Sequence, residues 1–537
     1  MVSIEKKRNS TIVSAAALVA VSSLLSRLLG LFRDRLFASH FGAGPELDAY
    51  FAAYRIPDLI FNLLVLGTLT AAFLPVFSSY LSKGDEGKKQ AFAVAESLFF
   101  ITVILLTLCA VILYIFTPKI VPLIVPGFDA QRGSLMIDLS RIMLLQPILL
   151  GASSILGTIL ISFNRFFAYA VAPVLYNLGI ILGVIFFVPT MGIRGVAWGV
   201  VLGAVMHLLV QLPSAIKIGF HFLPSLRFQN EGLKHIGRLM VPRLIGLVAG
   251  QVNDLVVNVI GSTLIVGSIA AYAFADNLQN VPIGLVGISF AVAAFPQLSR
   301  AASENASEVF SMTLVRTIRL VLFLAMPLSV AMLLLRAEIV RVVLGTGRFD
   351  WSDTKLTFSI LSVLVLSVFA QSLVPLLARA FFAMHDTKTP MVASIVTIIV
   401  NIIGAFFLGK QFGAMGLAWA FSAASVVNFL ILITALHSRL GGLHDKEFLS
   451  GLLRISLATV LAGVCIQALK WPLGNIVDMQ TFLGVFIKLA GSTAGGAIVF
   501  IVAARFLKLE EFDALFGGIV EKMSFWKKRE ALVEEQP

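Results

Sequence analysis

The sequence predicts an all-α polytopic membrane protein of about 14 transmembrane helices, built as two parallel six-helix repeats followed by two C-terminal helices. Three observations carry that prediction. Hydrophobic residues make up 58% of the 537 residues, charged residues only 13%, and the mean hydropathy is +0.95. Soluble domains carry about 25% charged residues. Apolar runs of the length needed to cross hydrocarbon, about 20 residues, recur along the whole chain. A set of motifs also returns at a constant interval. A chain this apolar could not cover its surface in water, which excludes a secreted disulfide scaffold, a disordered chain and a soluble nucleic-acid binder. The net charge of +12 is therefore read as loop bias, and no nucleic-acid partner is expected.

The elements follow in order. Met1 to Ser10 is basic and leads, without a small-residue cleavage pattern, into a run at 12–32 that reads as the first spanning helix. Further runs lie near 49–80, 92–116, 134–162, 166–189, 195–217, 236–262 and 267–298. They continue near 311–335, 356–384, 390–409, 413–436, 450–471 and 481–507. Only a short break at Asn164 and Arg165 separates the fourth from the fifth. Basic residues concentrate in the loops on the N-terminal side, including Lys83, Lys88, Lys89, Lys234, Arg300, Lys388 and Arg439. The positive-inside rule then places both termini in the cytoplasm, as an even helix count requires. Cys109 and Cys465 lie within apolar runs and read as packing residues. No metal-ligand motif is present, and no metal is expected.

The interval is 221 residues. Gly192-Ile193-Arg194-Gly195-Val196-Ala197-Trp198 returns as Gly413-Ala414-Met415-Gly416-Leu417-Ala418-Trp419, and Phe73-Leu74-Pro75 returns with its proline at Pro296. Helices 1–6 thus resemble helices 7–12 in order and orientation, the pattern of parallel transporter repeats. The expected lobes are 1–225 and 226–440, with helices 13 and 14 at 441–510 and a cytoplasmic tail at 511–537. Pro57 and Pro75 in helix 2 and Pro282 and Pro296 in helix 8 sit at matching places, where kinks or flexible points are expected. GxxxG pairs at Gly179/Gly183, Gly199/Gly203, Gly246/Gly250 and Gly491/Gly495 permit close helix approach.

Ionisable groups inside spans are costly and are candidate functional groups by default. In the first half these are Arg27, Arg33, Asp34, Asp48 and Arg55. Arg27 and Asp34 are seven apart, as are Asp48 and Arg55, which returns each pair close to one helix face. Guanidinium groups suit bidentate phosphate recognition, and a neighbouring carboxylate orients them. Interfacial ion pairing is the structural alternative. The matching region of the second half holds Asp254 and Asp276 among asparagines. Those carboxylates suit a proton, a monovalent cation or an arginine partner. No soluble domain is large enough for a nucleotide site and no P-loop is present, so ATP-driven transport in cis is excluded. Nor do the outer loops place paired carboxylates for glycosyl transfer.

From Ser26-Arg27-Leu28-Leu29-Gly30-Leu31-Phe32-Arg33-Asp34 onward the residues become specific. Together with Phe41-Gly42-Ala43-Gly44, Asp48-Ala49-Tyr50-Phe51-Ala52-Ala53-Tyr54-Arg55-Ile56-Pro57, Tyr272-Ala273, Pro282 to Ile288 and Asp386-Thr387-Lys388-Thr389-Pro390, they resemble the MurJ (MviN) family over residues 10–437. The resemblance implies a lipid II flippase of the multidrug/oligosaccharidyl-lipid/polysaccharide superfamily, a transporter rather than an enzyme, in the bacterial inner membrane. Its partners would be lipid II or a related polyprenyl-diphosphate glycolipid and the surrounding membrane lipids, with the chain functional as a monomer. Arg27, Arg33 and Arg55 would hold the diphosphate, Asp34 and Asp48 would orient them, and helices 13 and 14 would line a groove for the lipid tail. The chain departs from the family at Phe61, Asn62 and Asn277, where further arginines often stand. Those departures favour the alternatives of another polyprenyl-linked polysaccharide or a cation-driven export cargo. No cofactor is implied. Monovalent cation or proton coupling would fall to Asp254, Asp276 and Asn401. Of the sodium ligands of some members only Asn401 is matched, with Val257, Ala405 and Phe421 at the other places.

Overall fold

The computed structural model describes residues 2–222, 232–237, 251 and 255–515, with side chains described from residue 18 onward except 66–71. Among the described residues the chain is helical throughout, and eleven helices are long and apolar enough to cross a membrane. They correspond to runs 3–6 and 8–14 of the sequence: Gly84–Ile124, Ala130–Ser162, Phe166–Phe186, Ile193–Lys217, Ser268–Ser303, Ser307–Leu334, Trp351–Ala383, Lys388–Phe412, Ala414–Leu440, Asp445–Ile476 and Phe482–Phe506. The first run is one helix, Val2–Phe41, and the second is helical from Pro45 to Leu81. Most of the seventh lies outside the described residues, and Asp254 with it. Two compact units are distinguishable: residues 1–274, 343–356 and 402–417 form one, and 275–342, 357–401 and 418–537 the other.

Several helices outrun their apolar stretches. Gly84–Ile124 has 41 residues, which at about 1.5 Å per residue is roughly twice the thickness of the hydrocarbon core. Val2–Phe41 continues well past residue 32, so Arg33 and Asp34 sit within a helix and not at its end. Asp34 is only 2% exposed, so its carboxylate is packed inside the protein.

The matching prolines are followed by matching backbone irregularities. After Pro57 the helix widens into a π-helical segment, Phe61–Leu69, and after Pro282 into another, Ile283–Ile288. A proline removes an intrahelical hydrogen bond, and a π-turn re-routes the carbonyls so released. Such segments concentrate at functional sites. The repeated Gly-x-x-Gly-x-Ala-Trp motif is a helix corner in both halves. Gly192 and Gly413 adopt positive φ (57° and 61°), where side chains are strained, and each carbonyl accepts from the glycine three residues on at 2.9 Å. The second glycine is needed for space: a methyl on Gly195 would stand 2.5 Å from the Phe187 carbonyl carbon, and one on Gly416 would overlap the Leu408 carbonyl.

The cores are apolar and aromatic. In the first unit Phe73, Phe77, Phe92, Phe99 and Phe220 pack with Ile155, Leu156 and Ile159. In the second, Phe310, Leu314 and Ile318 pack with Leu373, Leu377 and Phe381, while Phe323 packs against Phe500 with tilted rings in a cluster that joins helices 9, 13 and 14. Glu511 is 3% exposed and paired to Arg319, so the start of the tail is docked by a buried ion pair. Of the expected tail at 511–537, residues 511–515 are described, and Arg319 supplies Glu511 with a partner that no local sequence pattern reveals.

Candidate functional site

Arg33 is the best-defined of the candidate charges. Its Nε and Nη2 donate to Asp34 Oδ1 at 3.1 and 2.8 Å, and its Nη1 donates to Asn177 Oδ1 at 3.3 Å. The guanidinium lies 5.6 Å from the Phe37 ring centroid. Spacing suggested Arg27 as the face-mate of Asp34, and successive residues on a helix do not normally face each other. The long arginine stem nevertheless folds back to the adjacent carboxylate. Asn177, on the fifth span, was not singled out from sequence. It closes the arrangement by donating to Ser26 Oγ at 3.1 Å and to the Ser26 carbonyl at 3.3 Å. The signal for it was an amide inside an apolar run. Arg27 and Arg55 are half-buried, on the first and second spans. The result is a guanidinium held in plane by a carboxylate and an amide, and a planar fork so held suits the oxygens of a phosphate.

Asp48 is placed differently. Its carboxylate is 2% exposed and accepts from the backbone N–H groups of Gly267 at 2.6 Å and Ala270 at 2.8 Å. It therefore caps the start of Ser268–Ser303, where unpaired N–H groups and the positive end of the helix dipole favour an anion. Neither of these two bonds is to Arg55. In the second unit, Asp276 accepts from Gln279 Nε2 at 2.9 Å and Asn280 Nδ2 at 3.0 Å. Gln279 is fully buried and accepts from Gln371, which also donates to Ser367. Asp276 stands 221 residues after Arg55, so the repeat puts an acid where its first copy has a base. Asn401 is buried on Lys388–Phe412. Among the described residues no three His, Cys, Asp or Glu side chains are grouped to hold a metal ion.

Outside the spans, the Asp386-Thr387-Lys388-Thr389-Pro390 motif is a helix N-terminus. Asp386 accepts from the Thr389 hydroxyl (2.7 Å), from the Thr389 and Lys388 amides (3.1 and 2.9 Å), and from Arg439. The Thr389 bonds, then Arg439, hold its carboxyl down at about 2, below its ordinary 3.8. Because the folded value is depressed, the stabilisation is fully present above about pH 4 and is lost as pH falls toward 2. Asp386→Asn is accordingly expected to flatten the loss of thermal stability between pH 5 and pH 3 relative to the unsubstituted chain, as read by melting across that range.

An apolar cavity of about 480 Å³ opens in the second unit, lined by Leu322, Met326, Val330, Phe369, Phe429 and Phe448 among others. Its walls come from helices 9, 10, 12 and 13.

Comparison with known proteins fits this architecture. The family model described as "Lipid II flippase MurJ" matches residues 37–486. A protein of Buchnera aphidicola (subsp. Acyrthosiphon pisum), described as "Probable lipid II flippase MurJ", is 31% identical over 88% of this chain and 94% of its own length. "Lipid II flippase MurJ" of Burkholderia cenocepacia is 28% identical over 88% of this chain and 95% of its own. Among solved structures, "Lipid II flippase MurJ, inward closed conformation" superposes with a TM-score of 0.75 at 24% identity, covering 94% of this chain and 100% of that one. An inward-facing multidrug resistance MATE family transporter of the MOP superfamily shares the fold at a TM-score of 0.66 and 15% identity, covering 80% of this chain and 99% of that one. With the family model spanning most of the chain, the protein belongs to the MurJ family of multi-pass bacterial inner-membrane flippases.

Proposed function

We propose that this chain carries lipid II, the polyprenyl-diphosphate-linked peptidoglycan precursor, from the inner to the outer leaflet by alternating access, as a transporter with no enzymatic step. The observation that carries the reading is the Arg33–Asp34–Asn177 arrangement between the first helix and the fifth span, in a chain of this family. A diphosphate is a dense double anion, and crossing hydrocarbon requires fixed cations in its path. Arg27 and Arg55 add to Arg33 on the first two spans, and Asp34 keeps the Arg33 fork in plane between cargoes. The apolar cavity walled partly by helix 13 suits the polyprenyl tail, for which shape and apolarity suffice. The 221-residue repeat supports lobes at 1–225 and 226–440 as the moving parts, with 441–510 serving the tail. Alternation would require the Asp48 cap on Ser268–Ser303 to break and re-form, giving Asp48 a gating role. Asp254, Asp276 and Asn401 are assigned to coupling or gating in the second half. Both termini lie in the cytoplasm by the loop charge, and one chain suffices.

The test is growth. A bacterium depleted of its own lipid II flippase is expected to grow when it expresses this chain. Failure to rescue at normal membrane levels would turn the assignment to another polyprenyl-linked glycan.

A further inference from the structure

Within the first unit, a second cavity of about 580 Å³ opens between spans 3, 4 and 6. Its polar end is formed by Tyr114, Asp138, Arg141 and Arg194. Tyr114 lies toward the C-terminal end of Gly84–Ile124, Asp138 and Arg141 toward the N-terminal end of Ala130–Ser162, and Arg194 in the first turn of Ile193–Lys217. Span 3 runs opposite to spans 4 and 6, so these groups gather at one end of the three helices. About one turn deeper on each helix the lining turns apolar, at Val111, Leu145 and Trp198. Those side chains are 51%, 42% and 41% exposed, and apolar surface left open on a span faces lipid. A tyrosine and a tryptophan at the polar-to-apolar boundary match the level of the lipid headgroups.

The polar end has donors to spare. Pro118 has no amide hydrogen, so the Tyr114 carbonyl one turn before it loses its helical donor. Arg141 Nε takes that place at 3.2 Å, and the guanidinium lies 4.5 Å from the Tyr114 ring centroid. Arg141 Nη1 and Nη2 have no hydrogen-bond partner among the described residues, and Arg141 makes no ion pair there. Asp138, one turn earlier on the same helix face, is taken by Arg194, whose Nη2 donates to Oδ2 at 2.6 Å. Two guanidinium groups thus share one carboxylate, and the cavity carries one net positive charge. Fold stability does not account for this set. The Arg194–Asp138 pair is 56% and 43% exposed, and such pairs contribute little. In the second repeat Met415 stands at the place of Arg194, with Ser359 and Ser362 at those of Asp138 and Arg141, and the helix corner forms without the charges.

We infer that this cavity binds an anionic glycerophospholipid with a single phosphodiester. Arg141 Nη1 and Nη2 and the Arg194 guanidinium hold the phosphate, and the start of an acyl chain lies along Val111, Leu145 and Trp198. A phosphodiester carries one negative charge, which the net charge of the cavity neutralises, and its oxygens suit the forked donors. A zwitterionic headgroup would bring an ammonium toward two guanidinium groups whose only carboxylate is already paired. The cavity shares no lining residue with the Arg33–Asp34–Asn177 arrangement or with the apolar cavity of the second unit. The inference does not depend on the identity of the cargo.

Trp198 is a built-in reporter. The full-length chain carrying Trp351→Phe, Trp419→Phe, Trp471→Phe and Trp526→Phe keeps Trp198 as its one tryptophan. It is reconstituted in phosphatidylcholine vesicles containing brominated phosphatidylglycerol or brominated phosphatidylcholine, whose bromines quench tryptophan on contact. The phosphatidylglycerol is expected to reach half-maximal quenching at a mole fraction about tenfold lower, the effect of one charge-assisted hydrogen bond. Arg141→Gln and Arg194→Gln are each expected to remove that preference. Equal quenching by the two lipids, or a preference that survives both substitutions, overturns the proposal. So does a preference that inorganic phosphate abolishes, which would make a free anion the occupant. Should the single-tryptophan chain fail to fold, native mass spectrometry of the otherwise unsubstituted chain with phosphatidylglycerol decides. Arg194→Gln, at a half-exposed position, is expected to retain one lipid fewer, and an unchanged number overturns the site.

Discussion

Arg33→Ala is expected to abolish growth rescue of flippase-depleted cells, and Arg27→Ala to do the same, each at a membrane level equal to that of the unsubstituted chain. For Arg33 the reasoning has two parts. Removing the guanidinium deletes a fork already oriented by Asp34 and Asn177. It also leaves the Asp34 side chain, only 3% exposed, as a buried charge without that partner. Breaking a buried ion pair from one side costs about 3–5 kcal/mol. Arg33→Lys separates binding from folding. Lysine keeps the charge near Asp34 but cannot reproduce the planar two-point contact, so membrane level should recover while rescue stays weak. Full rescue by Arg33→Lys would show that a point charge suffices and would remove the bidentate account. Full rescue by either alanine variant would remove that arginine from the transport path.

Gly183→Leu is expected to prevent stable insertion of the fifth and sixth spans, with little folded protein in the membrane fraction. The helices Phe166–Phe186 and Ile193–Leu209 are joined by Gly179 and Gly183 facing Gly199 and Gly203. A methyl on Gly183 would overlap the Cα of Gly199, and one on Gly199 would stand 3.0 Å from the Cα of Gly183. What blocks it is backbone, which cannot swing aside. Overpacking typically costs about 1–3 kcal/mol when side chains can yield, and here the helices themselves must separate. Gly491→Ala supplies the contrast. Its new methyl would lie 3.0 Å from Leu473 Cδ1, the far end of a flexible side chain, so near-normal membrane levels are expected. Normal folding of Gly183→Leu would refute the close-approach account of this interface.

Sequence spacing gave the two glycine pairs equal weight, and only packing separates them. Elsewhere the sequence carried further. The helix run order, the break at Asn164, the 221-residue interval and the equivalence of Pro57 with Pro282 all reappear as helix ends, left-handed corners and paired π-segments. These are local properties: hydropathy over about 20 residues, a missing amide hydrogen at proline, a glycine that tolerates positive φ. The arginines and aspartates of the first half were legible for a similar reason, since a charge in an apolar run stands out by composition alone.

What the sequence by itself determined was therefore the class of molecule, its span order, its internal repeat and the names of most charged candidates. The partners of those charges were decided by tertiary structure. Asp34 holds the adjacent Arg33 through a folded-back stem, and Asp48 caps a helix that begins some 220 residues later. Asn177 is a neutral residue with no spacing signal. The physical reason is that hydropathy and backbone preference are written residue by residue. A hydrogen bond between distant segments exists only once they have been brought within about 3 Å of one another.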